Sequence, residues 1–186
     1  MKKWKKISSK VILDTPRFKV REDLVELPNG KTKRWPYWWS RDSTLVIGMT
    51  KDRKIVLIRQ YRYLVEGDVI EFPAGGLEDG ENIEEGAKRE FEEETGYIGK
   101  DLIKLGSFYE TYGQLNRQIH IFFCKNIVKS KQHLDRGRRG YEDIKVELID
   151  FDKAIDLALK NKIVATCCTL AVLLLQEKIR RGEIKI

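Results

Sequence analysis

From Gly75 to Tyr97 the chain reads GGLEDGENIEEGAKREFEEETGY, and no other stretch limits the possible folds as much. Glycines bracket a segment with helical spacing, predicted to run over residues 83–95, and Gly96 stands where a left-handed C-cap is expected. On that helix Glu90, Glu93 and Glu94 lie three and four residues apart, so their carboxylates share a face. Like charges so placed repel one another, a cost that a bound divalent cation offsets. Ligands made only of oxygen suit Mg²⁺ or Mn²⁺ rather than zinc. The competing explanation is a solvated acidic face.

The flanking segments predict a mixed α/β fold. Residues 20–28 and 31–39 flank Asn29-Gly30, a two-residue hairpin signal, and residues 6–42 as a whole look like β-structure. A second hairpin is expected from residues 44–49 and 54–59. Residues 69–72 read as a short strand ending at Pro73-Ala74-Gly75-Gly76, a turn expected to continue neither helix nor ladder. Beyond the acidic helix, strands are expected at 102–109, 118–124 and 144–149, then helices near 152–161 and 165–181. Ile155, Leu157, Leu159, Leu170, Val172, Leu173 and Leu174 are read as their core stripes.

With 186 residues the chain can form one ordinary domain with a small appended part. Its net charge of +7 hides an asymmetry. Residues 78–94 hold nine acids against Lys88 and Arg89, a local −7, so the remainder carries +14. An acidic pocket in a basic body suits anionic, metal-bound substrates. Cys124, Cys167 and Cys168 form neither a disulfide framework nor a zinc pattern, and the adjacent pair reads as core filling. The basic start MKKWKKISSK leads into no apolar run, and residues 164–175 are too short to span a bilayer. A cytoplasmic protein with no membrane partner is expected.

The spacing within the acidic run is its most specific property: Gly75, Glu81, Arg89-Glu90, Phe91, Glu93-Glu94, Gly96 and Tyr97 occupy every fixed position of a known signature. The run resembles that of the Nudix hydrolases, which cleave nucleoside diphosphates linked to another moiety. The resemblance implies a Nudix-type α/β/α sandwich with a mixed sheet. Residues 43–186 would form that domain, and residues 1–42 a small N-terminal β-rich extension.

It also implies a Mg²⁺ (or Mn²⁺) site. Glu90 and Glu94, one helical turn apart, are the first-choice ligands, and Glu93 ligates a second ion or orients water. In related enzymes the backbone carbonyl at the position of Ala74 is also a ligand. Arg89 joins the catalytic group as the clamp on the box glutamates and loop. Glu81 either binds metal or fixes the loop. Glu71 either orients the site or pairs with Arg89 or Arg59. The catalytic base is Glu142 or Glu93.

The substrate reading rests on aromatic and cationic residues before the box. Residues 31–41, KTKRWPYWWSR, suit stacking of a base and binding of phosphate or ribose. With Arg59-Gln60-Tyr61-Arg62 and Glu71–Gly76 they resemble the ADP-ribose pyrophosphatase group. That implies ADP-ribose cleaved to AMP and ribose 5-phosphate, in a homodimer whose N-terminal strands complete each other's pocket. Trp35 then stacks adenine or simply packs, and Arg41 and Arg62 bind phosphate or ribose. Tyr112 departs from the group, which carries proline near that place; tyrosine there is associated with dinucleoside polyphosphate hydrolases, and other nucleotide sugars remain alternatives. Residues 129–139 are basic but hold no interleaved aromatics, so nucleic acid is not the expected partner and RNA 5′-end hydrolysis is the lesser alternative.

Overall fold

The computed structural model describes residues 1–15, 18–134 and 143–186. By its internal contacts the chain divides into two units, Met1–Asp42 with Phe108–Gln118, and Ser43–Ser107 with Ile119–Ile186. Twelve strands are described: β1 Lys5–Asp14, β2 Lys19–Glu26, β3 Thr32–Trp39, β4 Ser43–Met49, β5 Lys54–Arg62, β6 Gly67–Glu71, β7 Ala74–Gly76, β8 Tyr97–Ile98, β9 Leu102–Tyr109, β10 Gln118–Lys125, β11 Val128–Lys129 and β12 Lys145–Asp150. The helices are α1 Ile83–Thr95, α2 Phe151–Leu159 and α3 Thr166–Arg180. No helix among the described residues is long and apolar enough to cross a membrane.

In the first unit β1, β2 and β3 form an antiparallel sheet in that order. The β2–β3 connection differs from the expected two-residue turn. Gly30 N–H donates to Leu27 O at 2.9 Å and Leu27 N–H to Lys31 O at 2.8 Å, so Pro28-Asn29-Gly30 form a three-residue loop. Proline suits the second position of such a turn, and Gly30 (φ +81°) takes the left-handed one. Residues 108–118 join this unit through Asn116, whose Oδ1 accepts from Ser40 N–H at 3.0 Å while its Nδ2 donates to Ser40 O at 3.1 Å.

The second unit is built on a mixed sheet of order β12-β5-β4-β10-β9, with β4 and β10 parallel. The expected β4–β5 hairpin forms, but its strands pair only at Met49↔Ile55 and then diverge. Into the gap run β6, paired with β5, and β7, paired with β4. This corrects the reading of Pro73–Gly76 as a turn outside any ladder. Pro73 lacks a donor and ends the pairing with β5, its carbonyl accepts from Val46 N–H at 3.1 Å, and the next three residues pair with β4 instead.

β4 is buried along its whole length, as a central strand covered on both faces must be. Val46 packs with Phe91 and Ala87 of α1, together with Val56, Phe122, Cys124 and Ile127. Leu45, Ile47 and Met49 alternate to the other face, and α3 also contacts β4. This is an α/β/α sandwich. Two leucines read as core are not: Leu159 is 66% exposed and Leu170 38% exposed. Ala154, Ala158, Ala171 and Leu175 are buried instead, on helices that pack against each other and against the sheet. Cys168 is buried, and its Sγ accepts from Phe72 N–H at 3.3 Å.

Candidate active site

The acidic helix is defined by local chemistry at both ends. Asn82 caps it, with Oδ1 accepting from Glu84 N–H at 2.9 Å and Glu85 N–H at 3.4 Å. Gly96 (φ +66°) closes it in the left-handed conformation. Between these caps the apolar positions Ala87 and Phe91 are buried, which turns Glu90, Glu93 and Glu94 along the flank toward β7.

Arg89 stands at the centre of the cluster. Its Nε and Nη2 bind the two oxygens of Glu81 at 2.8 and 2.9 Å. Its Nη1 reaches Glu90 Oε1 at 2.9 Å and Glu93 Oε2 at 3.2 Å, and Nη2 also donates to Gly76 O at 3.3 Å. One guanidinium therefore ties three carboxylates and the glycine strand together. The hydrogen bond to Glu81 is the main reason the Arg89 proton is held more tightly than usual, and Arg89 in turn holds the Glu81 carboxyl below its ordinary range.

Glu94 reaches the same strand from the next turn, its Oε2 accepting from Ala74 N–H at 2.9 Å. Glu90 lies directly over Gly75: a Cβ on that glycine would stand 2.1 Å from the carboxylate carbon. Only a residue without a side chain permits this approach. Glu90 and Glu94 thus lie against β7, Glu94 at Ala74, and Glu93 is tied to the same cluster through Arg89.

Oxygen donors alone, with three carboxylates sharing one guanidinium, suit a hard divalent cation. Among the described residues, no three His, Cys, Asp or Glu side chains form a ready-made cation cage. A cation would have to share Glu90 and Glu93 with Arg89.

Glu71 is not the partner of Arg89 or Arg59. It binds Arg62 through two hydrogen bonds, Nε to Oε1 at 2.8 Å and Nη2 to Oε2 at 2.6 Å, while Arg59 pairs with Glu147. That pairing is the first cause of the raised Arg62 pKa, with Glu94 adding a smaller share. Across the β5–β6 ladder Arg62 stands opposite Gly67 and Glu71 opposite Ile58, so the two meet through side chains that reach along the strands. Glu142 lies outside the described residues.

Trp35, Arg41 and Tyr112 belong to the other unit. The Trp35 ring carries Lys33 Nζ at 4.5 Å from its centroid and meets Trp4 edge-on at 5.5 Å. Arg41 is exposed, and Tyr112, 86% exposed, lies within a turn closed by Gln114 N–H donating to Thr111 O.

Sequence reasoning missed a strap over the end of α1. Ser130 N–H donates to Gly96 O at 2.7 Å, His133 N–H to Glu93 O at 2.9 Å, and Gln132 Nε2 to Glu94 O at 2.6 Å and Ile144 O at 3.4 Å. These bonds satisfy carbonyls that a helix leaves open at its C-terminus. No local signal marks them, because the helix carbonyls they meet lie more than thirty residues away.

A mixed sheet between helices, with a glutamate helix laid over a glycine strand, defines an α/β/α protein with a carboxylate cluster at its centre. The chain belongs to the Nudix family: the NUDIX domain model matches residues 39–165, and the nucleoside diphosphate sugar hydrolase N-terminal domain matches residues 4–37. It is a Nudix hydrolase, a class that generally needs a divalent metal. It is 33% identical to an ADP-ribose pyrophosphatase of Bacillus subtilis (strain 168) over 156 residues, 83% of this chain and 82% of that protein. It is 34% identical to a methanol dehydrogenase activator of Bacillus methanolicus over 172 residues, 92% of each chain. A crystal structure of an ADP compounds hydrolase shares the fold, with a TM-score of 0.83 at 19% identity, covering 99% of this chain and 98% of that one.

Proposed function

We propose that the chain hydrolyses the pyrophosphate bond of ADP-ribose, releasing AMP and ribose 5-phosphate. The observation that carries this reading is the pairing of the two family matches, one on the carboxylate domain and one, for nucleoside diphosphate sugar hydrolases, on residues 4–37. The similarity to an ADP-ribose pyrophosphatase supports the choice of sugar nucleotide.

In this reading Glu90 and Glu94, with Glu93 and the Ala74 carbonyl, hold Mg²⁺ or Mn²⁺. When bound, the cation supplies neutralisation of phosphate charge and a more acidic water. Water attacks one phosphorus, the bridging P–O bond breaks, and a carboxylate, Glu142 or Glu93, takes the water's proton. Arg89 keeps Glu81, Glu90 and Glu93 in fixed relation while the charge on the substrate changes. Trp35 is assigned to adenine, Arg41 and Arg62 to phosphate or ribose, and Tyr112 to a base or to its own turn. The site of action is the cytoplasm.

A homodimer completes the proposal. β1 is an edge strand exposed at every position, and Ile7, Val11 and Leu13 are about half exposed along it. An uncovered edge with apolar side chains favours pairing with a second copy. Light scattering of the purified protein is expected to give twice the chain mass; a monomer at micromolar concentration would remove the dimer.

A second reading follows from the relative with the fuller coverage: an activator of a partner dehydrogenase. One screen separates the two. With Mg²⁺ present, AMP release from free ADP-ribose is expected to run ahead of release from GDP-mannose, diadenosine polyphosphates and 5′-triphosphorylated RNA. No turnover of any free nucleotide, together with stimulation of a dehydrogenase, would favour the second.

A further inference from the structure

Beneath the carboxylates lies a polar row that the proposed chemistry does not use. Thr44 of β4 pairs directly with Gly75 of β7 on one side and with His120 of β10 on the other. Residues so paired point to the same face of a sheet. That face is the one α1 covers, because Val46 and Phe122, two residues along from Thr44 and His120, pack with Phe91. Gly48, four residues along β4, confirms the assignment: a Cβ there would stand 2.3 Å from the Phe91 ring.

The row is buried and polar where the rest of the face is apolar. Thr44 is 0% exposed and His120 4% exposed. Ser107 Oγ and His120 Nδ1 are hydrogen-bonded at 2.7 Å, which orients the ring. The Thr44 hydroxyl has no hydrogen-bond partner among the described residues. A hydroxyl sealed from water without a partner is costly, and valine, of the same shape, would avoid the cost and suit the strand better.

A neighbouring carboxylate accounts for the threonine. Side chains directly opposite across an antiparallel pair stand about 5 Å apart at Cβ, and the place of the missing Gly75 side chain is taken by the Glu90 carboxylate. We propose that Thr44 is a positioning residue for Glu90: its buried hydroxyl, backed by His120, donates to the Glu90 carboxylate when that group turns to hold a divalent cation. The donor would fix which carboxylate oxygen faces the ion, as hydrogen-bond partners of metal ligands commonly do.

The inference rests on the metal reading of Glu90 and Glu94, and the test keeps the two separable. Mn²⁺ binding is followed by the electron paramagnetic resonance signal of the free ion, and folding by thermal melting without metal. Wild type is expected to bind Mn²⁺ and Glu94→Gln to lose it; if wild type binds none, the metal reading itself falls. Thr44→Val is expected to melt no lower than wild type yet bind Mn²⁺ about tenfold more weakly, while Thr44→Ser, which keeps the hydroxyl, stays near wild type. Wild-type Mn²⁺ affinity in Thr44→Val would overturn the proposal. So would equal weakening in Thr44→Ser, which would trace the effect to the packing of the methyl group.

Discussion

Replacing Glu94 by glutamine is expected to lower turnover more than about a hundredfold, beyond the range seen when only a ligand's hydrogen-bond partner is lost. The fold should survive. The amide oxygen of glutamine can still accept from Ala74 N–H, the bond that Glu94 Oε2 makes at 2.9 Å. What disappears is one negative charge and one anionic oxygen facing the cluster. Steady-state kinetics with saturating Mg²⁺, beside a thermal melt, check both halves. A variant with near-normal turnover would remove Glu94 from the metal site.

Gly75→Ala should be nearly as damaging, though it touches no ionisable group. The added methyl would stand 2.1 Å from the Glu90 carboxylate carbon and must displace it. The obstructed group is the far end of a flexible side chain, so the sheet can hold while the carboxylate moves. We expect activity to fall at least about tenfold, the lower bound for disturbing a ligand's support, with a melting temperature within a few degrees of wild type. Gly76→Ala is the control, because a Cβ there meets nothing within 4 Å. Equal activity in the two variants would show that the approach of Glu90 to the strand carries no functional weight.

The features readable in advance are those whose causes are local. The helix over residues 83–95 came out with both its ends, because Asn82 and Gly96 act on the backbone beside them. β9 also matches the span expected for it, Leu102–Tyr109. The β2–β3 loop was misjudged by one residue, since Pro28 also has turn chemistry and joined Asn29-Gly30. Pro73 was read rightly as a breaker of one ladder. That Ala74–Gly76 would then join another depended on β4, thirty residues earlier.

Partners of the charged groups were harder to foresee. As an ion-pair residue Glu71 had Arg89 or Arg59 as its candidates, yet it binds Arg62, which the β5–β6 register sets at the other end of the ladder and only the reach of the folded side chains brings near. Leu159 and Leu170 fit an apolar stripe, but helix faces are assigned by what packs against them, and Ala154, Ala158 and Ala171 are the buried positions. The strap of Ser130, Gln132 and His133 carries no pattern at all.

By itself the order of residues determined the kind of chemistry available here: helical periodicity places Glu90, Glu93 and Glu94 together whatever the rest of the chain does. It also determined where the chain must break and turn, since proline and glycine restrict or free the backbone at their own positions. Tertiary structure alone decided what those carboxylates face. β4 and β5 diverge, the glycine strand enters the gap, and Arg89, Glu94 and Gly75 then hold helix and strand in contact. The reason is one of range: backbone preferences act within a few residues, whereas a contact between β7, β4 and α1 exists only after distant segments have paired.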